Sequence, residues 1–207
     1  MNLSFVIQPH NHYSDQVFEE AHLEQPQLLS SEFYDCTFIR CSFAEIRFDN
    51  CRFVNCTFEH CNLSLIQVPN SAFSGTKMEG SKIIGVDWTH ADWSSMKLAD
   101  PIGFFKCDLS HSTFIGLNLK NVQMKECVAK DVDFREANLT GAVFTGTDLT
   151  ESLFNETNLT EADLSRSRNY HIDPGRNILT RAKFTLPEAM SLLYSLDIDL
   201  IEGEVDG

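Results

Sequence analysis

The chain is short of positive charge. Of its 207 residues only 16 are Lys or Arg against 30 Asp and Glu, which gives a formal net charge of −14. Residues 1–32 and 187–207 contain no Lys or Arg at all. So acidic a surface repels polyphosphate, and direct nucleic-acid binding is not expected. Catalytic signatures are missing too. There is no G-x-S-x-G elbow, no phosphate-binding loop and no H-E-x-x-H pair, so nothing points to an enzyme and no cofactor is expected. His10 and His12 stand without further ligands and read as incidental rather than as a metal pair. Apolar runs fall far short of the ~20 residues that cross a bilayer, and "MNLSFVIQPHNHYSDQ" lacks the basic start of a secretory signal, so the expected location is the cytoplasm. The seven cysteines lack the C-x2-C clip of zinc sites.

What is present is a period of five. In "CRFVNCTFEHCNL", residues 51–63, Cys51, Cys56 and Cys61 recur every five positions, each followed two places later by Phe53, Phe58 or Leu63. A helix returns side chains to one face after three or four residues and a strand after two, so neither accounts for it. With the large residue taken as a centre, the spacing runs from Phe33 to Leu98 over 14 centres, slips by one residue, and resumes from Phe104 to Leu164 over 13. Two places before the centre the residue is usually Ala, Cys, Ser, Thr or Val, and all seven cysteines lie in this column.

A fixed period over most of a chain signals a solenoid. A pentad is too short to be a supersecondary unit and reads as one side of a square coil, with the large and small residues inward and three residues outward. Coils then stack at the usual strand spacing of roughly 4.8 Å. Residues twenty apart lie one above the other, which sets Cys36 over Cys56, Cys41 over Cys61 and Cys107 over Cys127. Parallel Cβ vectors do not give a disulfide dihedral, so free thiols acting as small core filler are expected.

The pattern A/C/S/T/V-polar-F/L-x-x resembles that of the pentapeptide-repeat family, whose fold is an all-β, right-handed quadrilateral parallel β-helix. Within the family, "CNLSLIQVPNSAF", "GVDWTHADW" and the non-repetitive "NYHIDPGRNILTRAKFTLPEAMSLLYSLDIDL" are similar to the AlbG-type albicidin-resistance branch over nearly the whole chain. More distantly, the layout is similar to the Qnr and mycobacterial MfpA quinolone-resistance proteins. The resemblance implies a non-catalytic homodimer, shaped and charged like duplex DNA. Such a dimer binds DNA gyrase, and topoisomerase IV beside it, and so counters a poison such as albicidin or a fluoroquinolone. The alternative is a pentapeptide-repeat interaction protein whose partner is not gyrase and whose acidity serves solubility. Long loops occur in some Qnr proteins; here only the slip at "ADPIG", residues 99–103, interrupts the repeat.

Three regions stand out as contact candidates. The first is an acidic surface of Asp131, Asp133, Glu136, Asp148, Glu151, Glu156, Glu161 and Asp163, among which Arg135 is the sole cation. Twenty-residue stacking sets Asp131 over Glu151 and Glu136 over Glu156, like charges one strand spacing apart. Lys120, Lys125, Lys130 and Arg135 read as a basic column just before it. The second is the slip, where Asp100, Pro101 and Ile102 carry turn chemistry and Pro cannot join an inter-coil ladder, so a corner bulge is expected. The third is "TLPEAMSLLYSLDIDL", where Thr185 and Glu188 have capping-box spacing and Leu186, Met190, Leu193 and Leu196 recur at helical intervals. An α-helix near 187–196 is expected there to cap the last coil. The resemblance makes its apolar residues, Tyr194 included, a dimer interface. The organisation is then an N-terminal cap with an imperfect first coil (1–30), the repeat (31–168) and a C-terminal extension (169–207). Trp88 and Trp93, at centres sized for Phe, imply either a wider coil or an outward ring.

Overall fold

The computed structural model describes residues 7–23, 25–94, 101–196 and 198. The chain winds as a four-sided parallel β-helix. In its first half the sides are three-residue strands: β1 (His12–Ser14), β2 (Val17–Glu19), β3 (Gln27–Leu29), β4 (Glu32–Tyr34), β5 (Thr37–Ile39), β6 (Arg47–Asp49), β7 (Arg52–Val54), β8 (Thr57–Glu59), β9 (Ala72–Ser74) and β10 (Lys77–Glu79). Two further strands follow, β11 (Gly103–Phe105) and β12 (Gln123–Lys125). Pairing is parallel throughout, in the orders β1-β4-β7-β9, β2-β5-β8-β10-β11-β12 and β3-β6. His12 meets Glu32, Thr37 meets Thr57 and Gln27 meets Arg47, each twenty positions on. In the second half the same register persists as single bridges, such as Asn118 to Asn138 to Asn158. Five is therefore the length of one side of a square.

Most sides end at a corner residue in the left-handed region, for example Asn55 (φ 53°), Glu136 (φ 60°) and Gly141 (φ 67°). The central residues fill the lumen as ladders. Phe33, Phe53 and Phe73 stack at centroid distances of 4.9 and 5.0 Å, and Phe38 stacks on Phe58 at 4.5 Å. Trp88 is wholly buried at its centre and lies parallel to Phe114 at 5.9 Å. Trp93 is only partly buried, and its Nε1 donates to the Trp88 carbonyl at 2.7 Å. All seven cysteines are buried free thiols.

Two expectations about extent need correction. Across the register break Lys77 pairs with Gly103 and Lys82 with Asp108, 26 positions on, while the pairings on either side are 20 apart. Six residues are extra, not one. Counting in fives cannot separate a surplus of one from a surplus of six, and Leu98, counted as a centre, lies outside the described residues. The coil also runs past residue 168, the expected end of the repeat. Asp148 bridges Arg168, Asn158 bridges Ile178 and Asp163 bridges Lys183, so backbone register outlives the side-chain pattern.

The C-terminal helix is present over Glu188–Leu196, wound as a 3₁₀ helix rather than the expected α-helix. Its capping-box residues serve the coil instead. Thr185 Oγ1 accepts the Arg166 backbone N–H at 2.6 Å, and Glu188 Oε1 accepts that of Asn169 at 2.5 Å. Amides that would stay open at the last coil are thereby satisfied. At the other end Ile7 is buried, and Tyr13 Oη accepts the Gln8 N–H at 2.8 Å.

Candidate partner-binding surface

The eight acidic residues separate by their place in the pentad. Asp133, Asp148 and Asp163 precede a centre, and each accepts the backbone N–H two residues later, from Arg135, Thr150 and Ser165 at 3.0, 3.2 and 2.9 Å. This is the Asx-turn habit of aspartate, and it commits the carboxylate to the turn. Asp148 goes furthest. It is 7% exposed, accepts Thr150 Oγ1–H at 2.6 Å and Asn169 Nδ2–H at 2.9 Å, and pairs with Arg168 at 3.2 Å. Burial pushes its pKa up, but the bonds from Thr150 and Asn169 outweigh that and hold it down at about 2. Asp148 is therefore a structural carboxylate rather than the surface contact expected. Asp133 is held below the usual range by its bonds to the Arg135 guanidinium, Nε at 2.9 Å and Nη2 at 2.7 Å. Asp163 is lowered too, the Ser165 hydroxyl and amide overcoming the upward push of burial.

The other five, Asp131, Glu136, Glu151, Glu156 and Glu161, are exposed corner residues with φ between 54° and 60°. Asp131 meets His111 at 2.9 Å and Glu161 meets Arg181 at 3.5 Å. Among the described residues Glu136, Glu151 and Glu156 form no ion pair. Glu136 and Glu156 share one corner, while Asp131 and Glu151 share the preceding one. Two adjacent edges of the rod thus carry stacked negative charge.

Lys120, Lys125, Lys130 and Arg135 do not form a column. Residues five apart sit on successive sides, so the four make a belt, one cation per face, at the level where the acidic edges begin. The signal was in the sequence: a spacing of five turns the corner, and only twenty climbs the rod.

At the insertion, Ile102 is 1% exposed and closes the core, so it is not the surface contact expected. Pro101 is partly exposed, and Asp100 lies outside the described residues. On the C-terminal helix Met190, Tyr194 and Leu196 are exposed, as are Leu186 before it and Ile198 after it, whereas Leu193 is half-buried and Leu192 packs on the core.

The family description "Pentapeptide repeat region" matches residues 31–101 and 86–164. A trypsin-treated form of QnrB1, a plasmid-mediated fluoroquinolone resistance protein, superposes with a TM-score of 0.60 at 18% identity, covering 95% of this chain and 100% of that one. HetL, a pentapeptide repeat protein involved in heterocyst differentiation regulation in Nostoc sp. strain PCC 7120, matches at 10% identity with a TM-score of 0.39, covering 83% of this chain and 84% of that one. No curated protein matches. With the family match spanning most of the sequence and the period of five wound into a square coil, the chain belongs to the pentapeptide-repeat family.

Proposed function

We propose that the rod is a non-catalytic, partner-binding protein that occupies the DNA-binding saddle of a type II topoisomerase, DNA gyrase first, and so shields it from a poison such as albicidin or a fluoroquinolone. The observation that carries this reading is the pair of adjacent edges on which Glu136 stacks with Glu156 and Asp131 with Glu151. Of these four, three make no ion pair among the described residues. Stacked like charges cost stability, and a basic saddle would relieve that cost. The fold alone does not fix such a function; the unneutralised carboxylates on a rod of this shape support it. A homodimer through the exposed apolar residues of the C-terminal helix would place both acidic halves near the middle of one longer rod. Gyrase supercoiling measured with the purified protein, with and without albicidin or ciprofloxacin, tests the reading. Rescue or inhibition is expected, and indifference at high concentration would sink it.

A further inference from the structure

Phe105 breaks the repeat. Every other described phenylalanine is a centre or continues a column of centres, whereas Phe105 follows the centre Phe104 on β11 and faces outward, where the neighbouring coils place Glu79 and Lys125. Its ring does not project. A Cβ built on Gly103 would lie 2.9 Å from Phe105 Cε2 and 3.2 Å from Cζ, so the ring lies back across the glycine. Gly103 has no left-handed φ that would call for glycine on conformational grounds. Its missing side chain instead makes room for the ring to lie flat. The outcome is an aromatic platform set into one side of the rod.

The platform borders a groove of about 410 Å³, with Pro101 on one wall and Thr57, Lys77 and Gln123 among its polar groups. Lys77 pairs with Gly103 across one coil, and Gln123 pairs with it across the next. Lys125 Nζ stands over the ring at 6.0 Å from its centroid. Lys77 and Lys125, like the other described lysines, make no ion pair among the described residues. Glu79 beside them keeps this face from attracting anions in general, so a ligand must gain from stacking as well as from charge.

We propose that this platform binds a planar aromatic carboxylate, its ring taking the face of Phe105 over which Lys125 Nζ stands, with the Lys125 ammonium swinging aside to meet the carboxylate together with Lys77. Ring stacking and cation–carboxylate attraction then act on the same molecule, and the groove volume lies in the range of small-molecule sites. The assignment is independent of the topoisomerase reading. The test is titration of 2-naphthoate into the isotopically labelled full chain, followed by amide NMR shifts and calorimetry. Saturable shifts at Gly103, Phe105 and Gln123 are expected. Phe105→Leu should weaken binding about tenfold, and neutral 2-naphthol should bind more weakly than the carboxylate. Lys77→Ala with Lys125→Ala leaves the core untouched and should remove the salt dependence of binding. Absence of saturable shifts at millimolar ligand, or binding indifferent to both Phe105→Leu and the lysine pair, overturns the proposal.

Discussion

At the scale of single residues, the Cys, Ser and Thr members of the small column prove to be hydrogen-bond donors. Each cysteine gives its S–H to a carbonyl of the preceding coil, as Cys56 does to Phe33 at 3.4 Å and Cys107 to Met78 at 3.2 Å. Hydroxyls do the same, Ser71 to Phe48 at 2.9 Å and Thr147 to Met124 at 2.6 Å. Ser71 Oγ also accepts the Cys51 N–H at 2.9 Å. Ser71→Ala therefore strands a buried donor and a buried acceptor, and a loss of about 1–3 kcal/mol is expected in urea unfolding, with Ser71→Cys recovering part of it. Burial also pushes the Cys51 thiol up to about 11 and those of Cys56 and Cys127 to about 12. Iodoacetamide should leave them unlabelled until the chain unfolds. Asp148 supplies a pH signature. Its folded pKa lies below the unfolded value, so its stabilisation is complete above about pH 4 and is lost as pH falls towards 2. Asp148→Asn should flatten that part of the acid-unfolding curve.

At the scale of elements, what could be read in the sequence was what repeats. Phe33 to Leu63 fixes the square coil because both members of the inward pair recur with a constant offset. The size of the insertion was hidden because periodicity reports length only modulo five. Deleting residues 95–100 should restore the twenty-residue register and leave circular dichroism and folding intact, whereas deleting one residue would leave five surplus and no gain in stability. Capping-box spacing does not say which amides it serves. Thr185 and Glu188 have the spacing that caps a helix, but the nearest unsatisfied amides belong to Arg166 and Asn169 on the coil. Of the candidate site, the corner acids were legible and the committed ones less so, though Asp-x-Thr and Asp-x-Ser at 148–150 and 163–165 already carried the turn signal. Corner strain can be separated from crowding. A Cβ on Gly116 meets nothing within 4 Å, while one on Gly141 lies 2.5 Å from Asn121 Oδ1. Gly116→Ala should then cost about 1 kcal/mol of left-handed strain, and Gly141→Ala more unless Asn121 gives way.

At the scale of the whole molecule, the function proposed above requires that a rod with carboxylates on its edges stand in for DNA. Duplex DNA carries one charge per roughly 1.7 Å of axis, and carboxylates stacked one strand spacing apart, about 4.8 Å, cannot match that point for point on two edges. Resemblance must lie in the width of the rod and in its summed field, which steers a basic partner and weakens as salt rises. The structure separates the carboxylates bound into turns from those that are not. Asp133, Asp148 and Asp163 are bound into turns, so reversing them would damage the coil rather than the contact. Glu136, Glu151 and Glu156 are free of such duties, and their corners tolerate any side chain that accepts a positive φ. Under the proposed function, changing those three to Lys should abolish gyrase binding while leaving the melting transition close to that of the parent chain. Phe144→Ala, at a wholly buried centre, should instead cost about 3–5 kcal/mol and lower binding only in proportion to unfolding. Binding that survives the triple reversal and does not weaken between low and physiological salt would remove the electrostatic account and move the contact to another face of the rod.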